Sequence, residues 1–189
     1  MSTEALEEPL PKPTTEDYVS ARLLESLVEA RLALEFLNRG LVRNASGKAF
    51  QAWRALLAAL LRLELDRLLS IARSDEEKRW LKERAVPRVP TGRMKALSQL
   101  LESVSYGDAS LWTDKALDLH DYQYNGPDPD MALSKYRSRE EAAYDVVKLV
   151  NGVVKYAEVL KSRIRWGDEL ERVLNELREE LGREQTSRK

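Results

Sequence analysis

The chain contains no cysteine. That excludes disulfides, thiol catalysis and cysteine-ligated zinc, and it suits a reducing compartment. A single histidine, His120, excludes a multi-histidine metal site within one chain. Glycine and proline are scarce, 8 and 7 of 189 residues, and they fall mostly between periodic segments, as in helices joined by short connections. Neither sign of charge prevails: 31 Lys and Arg face 32 Asp and Glu. A polycation that coats nucleic acid would be strongly basic, so any RNA or DNA site must be local. Long hydrophobic runs are missing too. The most apolar stretch, Ala55 to Leu61, lies between Arg54 and Arg62, far short of the roughly 20 residues that span a bilayer. No charged-then-apolar signal opens the chain, and a soluble, cytoplasmic protein without membrane contact is expected.

What is present is helical. Hydrophobic residues make up 43% and charged residues 33%, enough apolar material for a core and too little bias for disorder. Residues 1–14 read as a flexible tail, because Pro9, Pro11 and Pro13 forbid a helix through them. A first helix is expected from about Thr15, its cap, to Asn38, stopping at Gly40. A second, from about Ser46 to Ala72, is apolar nearly all round and reads as the central helix; between Ala49 and Leu61 only Gln51 and Arg54 are polar. Ser74 to Glu77 and Ser138 to Glu141 are capping boxes, Ser followed three residues later by Glu. The first opens a short third helix to about Ala85, before an extended connector at Pro87 and Pro90. A fourth helix capped by Thr91 is expected to end at a left-handed Gly107. Asp108 caps a fifth, which fails by Gly126-Pro127. The second capping box opens a long sixth helix with a valine-rich stripe, where Gly152 permits close helix approach. After a break at Trp166-Gly167-Asp168, an amphipathic last helix should run to Gly182. The expected architecture is all-α, an antiparallel up-and-down bundle over residues 15–165, with a C-terminal helical extension over 166–189.

The chemistry concentrates in the fifth helix, DASLWTDKALDLHDYQYNG, residues 108–126. Trp112, Ala116 and Leu119 share a face assigned to the core. Lys115 and Tyr122 are nearly eclipsed, whereas His120 lies about 140° round from Lys115 at 100° per residue. One straight helix therefore keeps Lys115 and His120 apart, unless a symmetric partner or a distortion brings them to one cleft. Tyr124 follows His120 by four residues and lies on its side. An imidazole moves protons near neutral pH, and a nearby cation stabilises a phosphorane-like transition state. Those are the parts for metal-free RNA cleavage by a neighbouring 2′-hydroxyl. With equal weight, His120 could simply bond a carbonyl or complement the helix dipole. Asp114, Asp118 and Asp121 read as a solvated acidic face rather than a metal site. Trp112, Tyr122 and Tyr124 could stack a base, although aromatics at helical spacing are more often core.

Three stretches carry a resemblance: SARLLESLVEARLALEFL, KAFQAWRALLAALL and WTDKALDLHDYQYN. From about Thr15 to Arg163 the chain resembles the HEPN superfamily, and more closely its archaeal PaREP branch. The resemblance implies a helical bundle that pairs as a homodimer. Active relatives carry Arg-x4-His and cut RNA at a dimer cleft without metal or cofactor. A branch that partners minimal nucleotidyltransferases as toxin and antitoxin carries Arg-x4-His-x-Tyr, with the Tyr open to nucleotidylation. Here His120 and Tyr122 match, and Lys115 replaces the Arg, keeping its charge but losing its fork. Three functions follow. One is a HEPN-like nucleotide- or RNA-associated module acting as a dimer or with a nucleotidyltransferase. Another is a metal-independent ribonuclease using His120 and Lys115. The third is a structural helical protein whose last helix binds a partner.

Overall fold

Two 22-residue helices form the centre. The computed structural model describes residues 4–187, with side chains over 5–184; residues 1–3 of the expected tail and 188–189 of the C-terminal end lie outside the described residues. Helix α1 (Asp17–Asn38) stops where Gly40 adopts φ +72°, and helix α2 (Val42–Leu63) returns antiparallel to it. Every residue from Ala55 to Leu61 is buried, so α2 is the central helix the pattern implied. A short helix α3 (Leu65–Ile71) follows, then α4 (Asp75–Trp80), a π-helical turn (Leu81–Ala85) and α5 (Val86–Arg88). Next come α6 (Met94–Glu102), α7 (Ala109–Asn125), α8 (Arg139–Leu160) and α9 (Asp168–Ser187). No strand occurs among the described residues. No helix among them is long and apolar enough to cross a membrane.

Local signals set several boundaries as expected. Ser74 Oγ accepts from the Glu77 amide at 3.1 Å, and Ser138 Oγ accepts from that of Glu141 at 3.3 Å. The two glutamates reach back to the amides of Arg73 and Arg137, one residue before the cap. Elsewhere the boundaries differ. Thr15 does not cap α1; its hydroxyl bonds the Lys12 carbonyl, and the helix opens at Asp17. The second helix starts at Val42, earlier than Ser46, because Gly40 turns the chain at once. It then breaks at Glu64, a carboxylate only 2% exposed that accepts from Arg163, Tyr106 and Arg67. Pro87 sits in the first turn of α5, where its missing N–H is harmless. Thr91 opens a 3-10 turn and makes no cap bond. Gly107 is not left-handed; among glycines that conformation belongs to Gly40 and Gly126. Helix α9 runs through Gly182 to Ser187.

Both ends of the described chain touch the bundle. Leu6 packs against the core, and Arg62 donates to the Pro13 carbonyl at 2.6 Å. Leu170, Val173, Leu174, Leu177 and Leu181 of α9 are buried on α1 and α8. Arg31 of α1 adds ion pairs to Glu176 and Glu180. The apolar face of the last helix is therefore covered by the chain's own bundle.

Candidate functional site

Helix α7 lies against α2, α6 and α8, and its two sides have separate fates. On the inner side Ala116, Leu119 and Tyr122 are buried, as is Thr113, whose hydroxyl accepts from the Trp53 indole at 2.8 Å. At the start of α7, Asp108 sits in the capping position but makes no cap bond. Its carboxylate instead accepts from Trp112 Nε1 (3.0 Å), Lys155 Nζ (2.9 Å) and the Tyr156 hydroxyl (2.6 Å). Burial opposes charge there, but the bonds from Tyr156, Lys155 and Trp112 prevail and lower its pKa to about 2. These ties hold the Trp112 indole over Gly152 of α8, where a Cβ would come within 2.8 Å of the ring. The close approach expected at Gly152 is thus an indole on a helix backbone. Trp112 packs between helices rather than offering an open face.

His120 sits on the opposite side. Its ring stacks on Phe50 of α2, with centroids 4.1 Å apart and planes at 24°, and meets Tyr124 edge-on at 5.2 Å. The α2 backbone can come this near because Gly47, one turn before Phe50, has no side chain; a Cβ there would fall 2.6 Å from the Gln123 amide. Arg43 of α2 donates to the Gln123 and Tyr124 carbonyls and so closes the end of α7. Tyr124 is 64% exposed.

The imidazole is neither a carbonyl partner nor oriented by Asp121. Its Nδ1 is buried with no hydrogen-bond partner, which leaves Nε2 for a ligand. A charged imidazolium would bury an unsatisfied N–H, and burial lowers the His120 pKa; Asp121 raises it and the Arg54 charge lowers it further. His120 is therefore held toward its neutral form.

Lys115 does not meet His120 within the chain. It pairs with Asp145 of α8 at 2.5 Å, and Asp145 also accepts from the Tyr136 hydroxyl at 2.9 Å. Tyr122 is 1% exposed and packs edge-on against Tyr136 at 5.6 Å. Burial raises the pKa of its phenol, with the Arg139 charge opposing. Of the five residues singled out in the sequence, only His120 and Tyr124 are brought together.

The cation that neighbours His120 is Arg54, one turn beyond Phe50, whose guanidinium lies 5.9 Å from the Phe50 ring. Burial is the main cause of the imidazole's lowered pKa, and the Arg54 charge adds to it. The signal was present in the sequence, since Arg54 interrupts an otherwise apolar central helix. Its partner on α7 could not be inferred, being 66 positions away.

A model of the archaeal PaREP1/PaREP8 family matches residues 21–147, more than half of the chain. No curated protein and no solved structure matches it.

Proposed function

The chain belongs to the archaeal PaREP1/PaREP8 family, and within that membership we propose that it is a HEPN-like RNA- or nucleotide-binding module whose ligand docks on the Tyr124–His120 face of α7. The observation that carries this reading is Tyr124, 64% exposed and edge-on to a His120 stacked on Phe50. An exposed ring braced by a rigid neighbour offers a stacking platform for a base. His120 Nε2 supplies a hydrogen bond beside it. The module acts as a homodimer or with a partner such as a minimal nucleotidyltransferase. Tyr122, the position nucleotidylated in some relatives, is 1% exposed and has no part in the reading.

A second reading, metal-independent RNA cleavage, is favoured by one observation: the His120 imidazole, held toward its neutral form by burial, lies beside Arg54, which forms no ion pair among the described residues. With the ring in its Nδ1–H tautomer, which leaves the Nε2 lone pair free, His120 Nε2 would take the proton of a 2′-hydroxyl, whose oxygen attacks the adjacent phosphorus. The bond to the 5′-oxygen breaks, and that oxygen takes a proton from water, leaving a 2′,3′-cyclic phosphate. Arg54, rather than Lys115, would face the developing charge.

One experiment separates the two. Short single-stranded RNA is titrated with the full chain in chelator, read by anisotropy and then by gel. Binding that Tyr124→Ala weakens by roughly 5- to 150-fold, the loss of one stacking contact of about 1–3 kcal/mol, supports the module. No binding, or binding indifferent to Tyr124→Ala, refutes it. Cleavage by wild type and not by folded His120→Ala moves the assignment to the ribonuclease.

A further inference from the structure

Three arginines, Arg22, Arg54 and Arg88, line one cleft of about 260 Å³ between α1, α2 and the turn that follows α5, with Pro87 and Val89 completing its wall. The three are not equivalent. Arg22 is fixed: Nε donates to the Tyr18 hydroxyl (2.9 Å), Nη1 to Glu25 (2.7 Å) and Nη2 to the Pro87 carbonyl (2.8 Å). A guanidinium has five N–H donors, so the locked fork keeps two for a ligand. Arg54 and Arg88 form no ion pair or hydrogen bond among the described residues; Arg54 covers the Phe50 ring and feels Glu29 only at longer range. The nearby carboxylates make their close ion pairs elsewhere. Glu25 is taken by Arg22 and Glu29 by Lys48 at 2.9 Å. The cleft therefore gathers two arginines without ion pairs around one positioned guanidinium.

The turn that presents Arg88 is strained. Val89 has φ +41° and ψ +71°, a left-handed conformation unfavourable for a β-branched residue. Two bonds from α1 hold it: the Tyr18 hydroxyl donates to the Val86 carbonyl (2.9 Å) and Arg22 to that of Pro87. The Val89 side chain is buried at 1%, while Arg88 stays exposed at the rim. Strain retained in this way commonly marks a functional turn.

We propose that this cleft is a phosphate-binding site, formed by Arg22, Arg54 and Arg88, for the polyphosphate of a nucleotide or the backbone of RNA. Planar guanidinium groups match phosphate oxygens two at a time. The site goes beyond the base platform at Tyr124 and does not depend on it.

The test titrates inorganic tripolyphosphate into the full chain at low salt by calorimetry. Wild type should bind, and Arg54→Gln and Arg88→Gln should each weaken binding by about tenfold or more, as expected for a lost charge-assisted contact. Lys95→Gln removes a cation on α6 that pairs with Asp114 and should change affinity less than about twofold. Tyr124→Ala should bind tripolyphosphate like wild type, so loss of the base platform and loss of this site are told apart. Competition then separates the sources: displacement by ATP but not by short RNA identifies a free nucleotide, and displacement by RNA in preference to ATP identifies a backbone. No binding by wild type overturns the proposal, as do arginine variants that bind like Lys95→Gln. Failure of both ATP and RNA to displace the probe also overturns it. Arg88 is exposed, so Arg88→Gln keeps the test valid should Arg54→Gln fail to fold.

Discussion

Gly152→Ala and Gly182→Ala make the same chemical change in two helices and should move stability in opposite directions. At Gly152 the new Cβ would stand 2.8 Å from Trp112 Cε3 and 3.0 Å from Cδ2 and Cζ3. Carbon contacts are comfortable at about 3.5–4.0 Å, so the indole must retreat by roughly half an ångström or more. It is poorly placed to do so. Its Nε1 bonds an Asp108 carboxylate that is also held by Tyr156 and Lys155, and Trp53 flanks it at 6.4 Å. Overpacking of this kind costs about 1–3 kcal/mol, against a gain of about 1 kcal/mol from alanine's better helix propensity. With the ring pinned at one end, a net loss of about 1–2 kcal/mol is expected. At Gly182 no atom of the described residues outside its own helical turn lies within 4 Å of the new Cβ, so the propensity gain of about 0.5–1 kcal/mol should stand alone. Urea unfolding at constant m measures both, and Gly152→Ala should lower Tm by roughly 2–8 °C in a chain of this size. In a Trp112→Leu background the cost of Gly152→Ala should largely vanish, the signature of a contact pair. Gly152→Ala as stable as Gly182→Ala would refute the reasoning and free Trp112 to be read as an open stacking surface.

Thr113→Val keeps the shape of a fully buried side chain but strips the acceptor from the Trp53 indole N–H; it should cost about 1–3 kcal/mol in denaturant unfolding, with Thr113→Ser closer to wild type. His120 should titrate below its ordinary 6.5, because burial and the Arg54 charge disfavour the imidazolium. The unfolded chain then binds that proton more readily. The His120 contribution to stability is present above about 6.5, declines as pH falls below it, and is gone below the folded pKa. As the chain's only histidine, its ring proton resonance gives the midpoint directly. A midpoint at or above 6.5 refutes the buried, unpartnered Nδ1.

The parts of the fold legible in the sequence were those fixed within one helical turn. The capping serines at Ser74 and Ser138, the stop at Gly40 and the failure at Gly126 all act on neighbours a few residues away. The apolar phase of α2 was legible because it records burial directly. The break at Glu64 was not, since it depends on Tyr106 and Arg163, 42 and 99 positions distant. The same division runs through the site. His120 and Tyr124, four apart, are neighbours because a regular helix makes them so. Tyr122 and Tyr124, two apart, take opposite faces, and only the packing of α7 on α2 and the Tyr136 loop decides which is buried.

The least legible fact is also the most consequential for chemistry. The resemblance points to the cation five residues before His120, and charge alone would make Lys115 serviceable. In the folded chain Lys115 is held by Asp145, itself hydrogen-bonded by the Tyr136 hydroxyl. Drawing that ammonium across to a second subunit's histidine would leave the Asp145 carboxylate, 21% exposed, without its counter-ion, and a partly buried unpaired charge is costly. Arg54 carries no such penalty. It has no ion pair to abandon among the described residues, it already borders the Phe50–His120 stack, and its fork grips phosphate oxygens two at a time where an ammonium offers a point charge. The positive charge that a phosphate beside His120 would meet therefore comes from α2, the helix beneath, and not from the helix that carries the histidine.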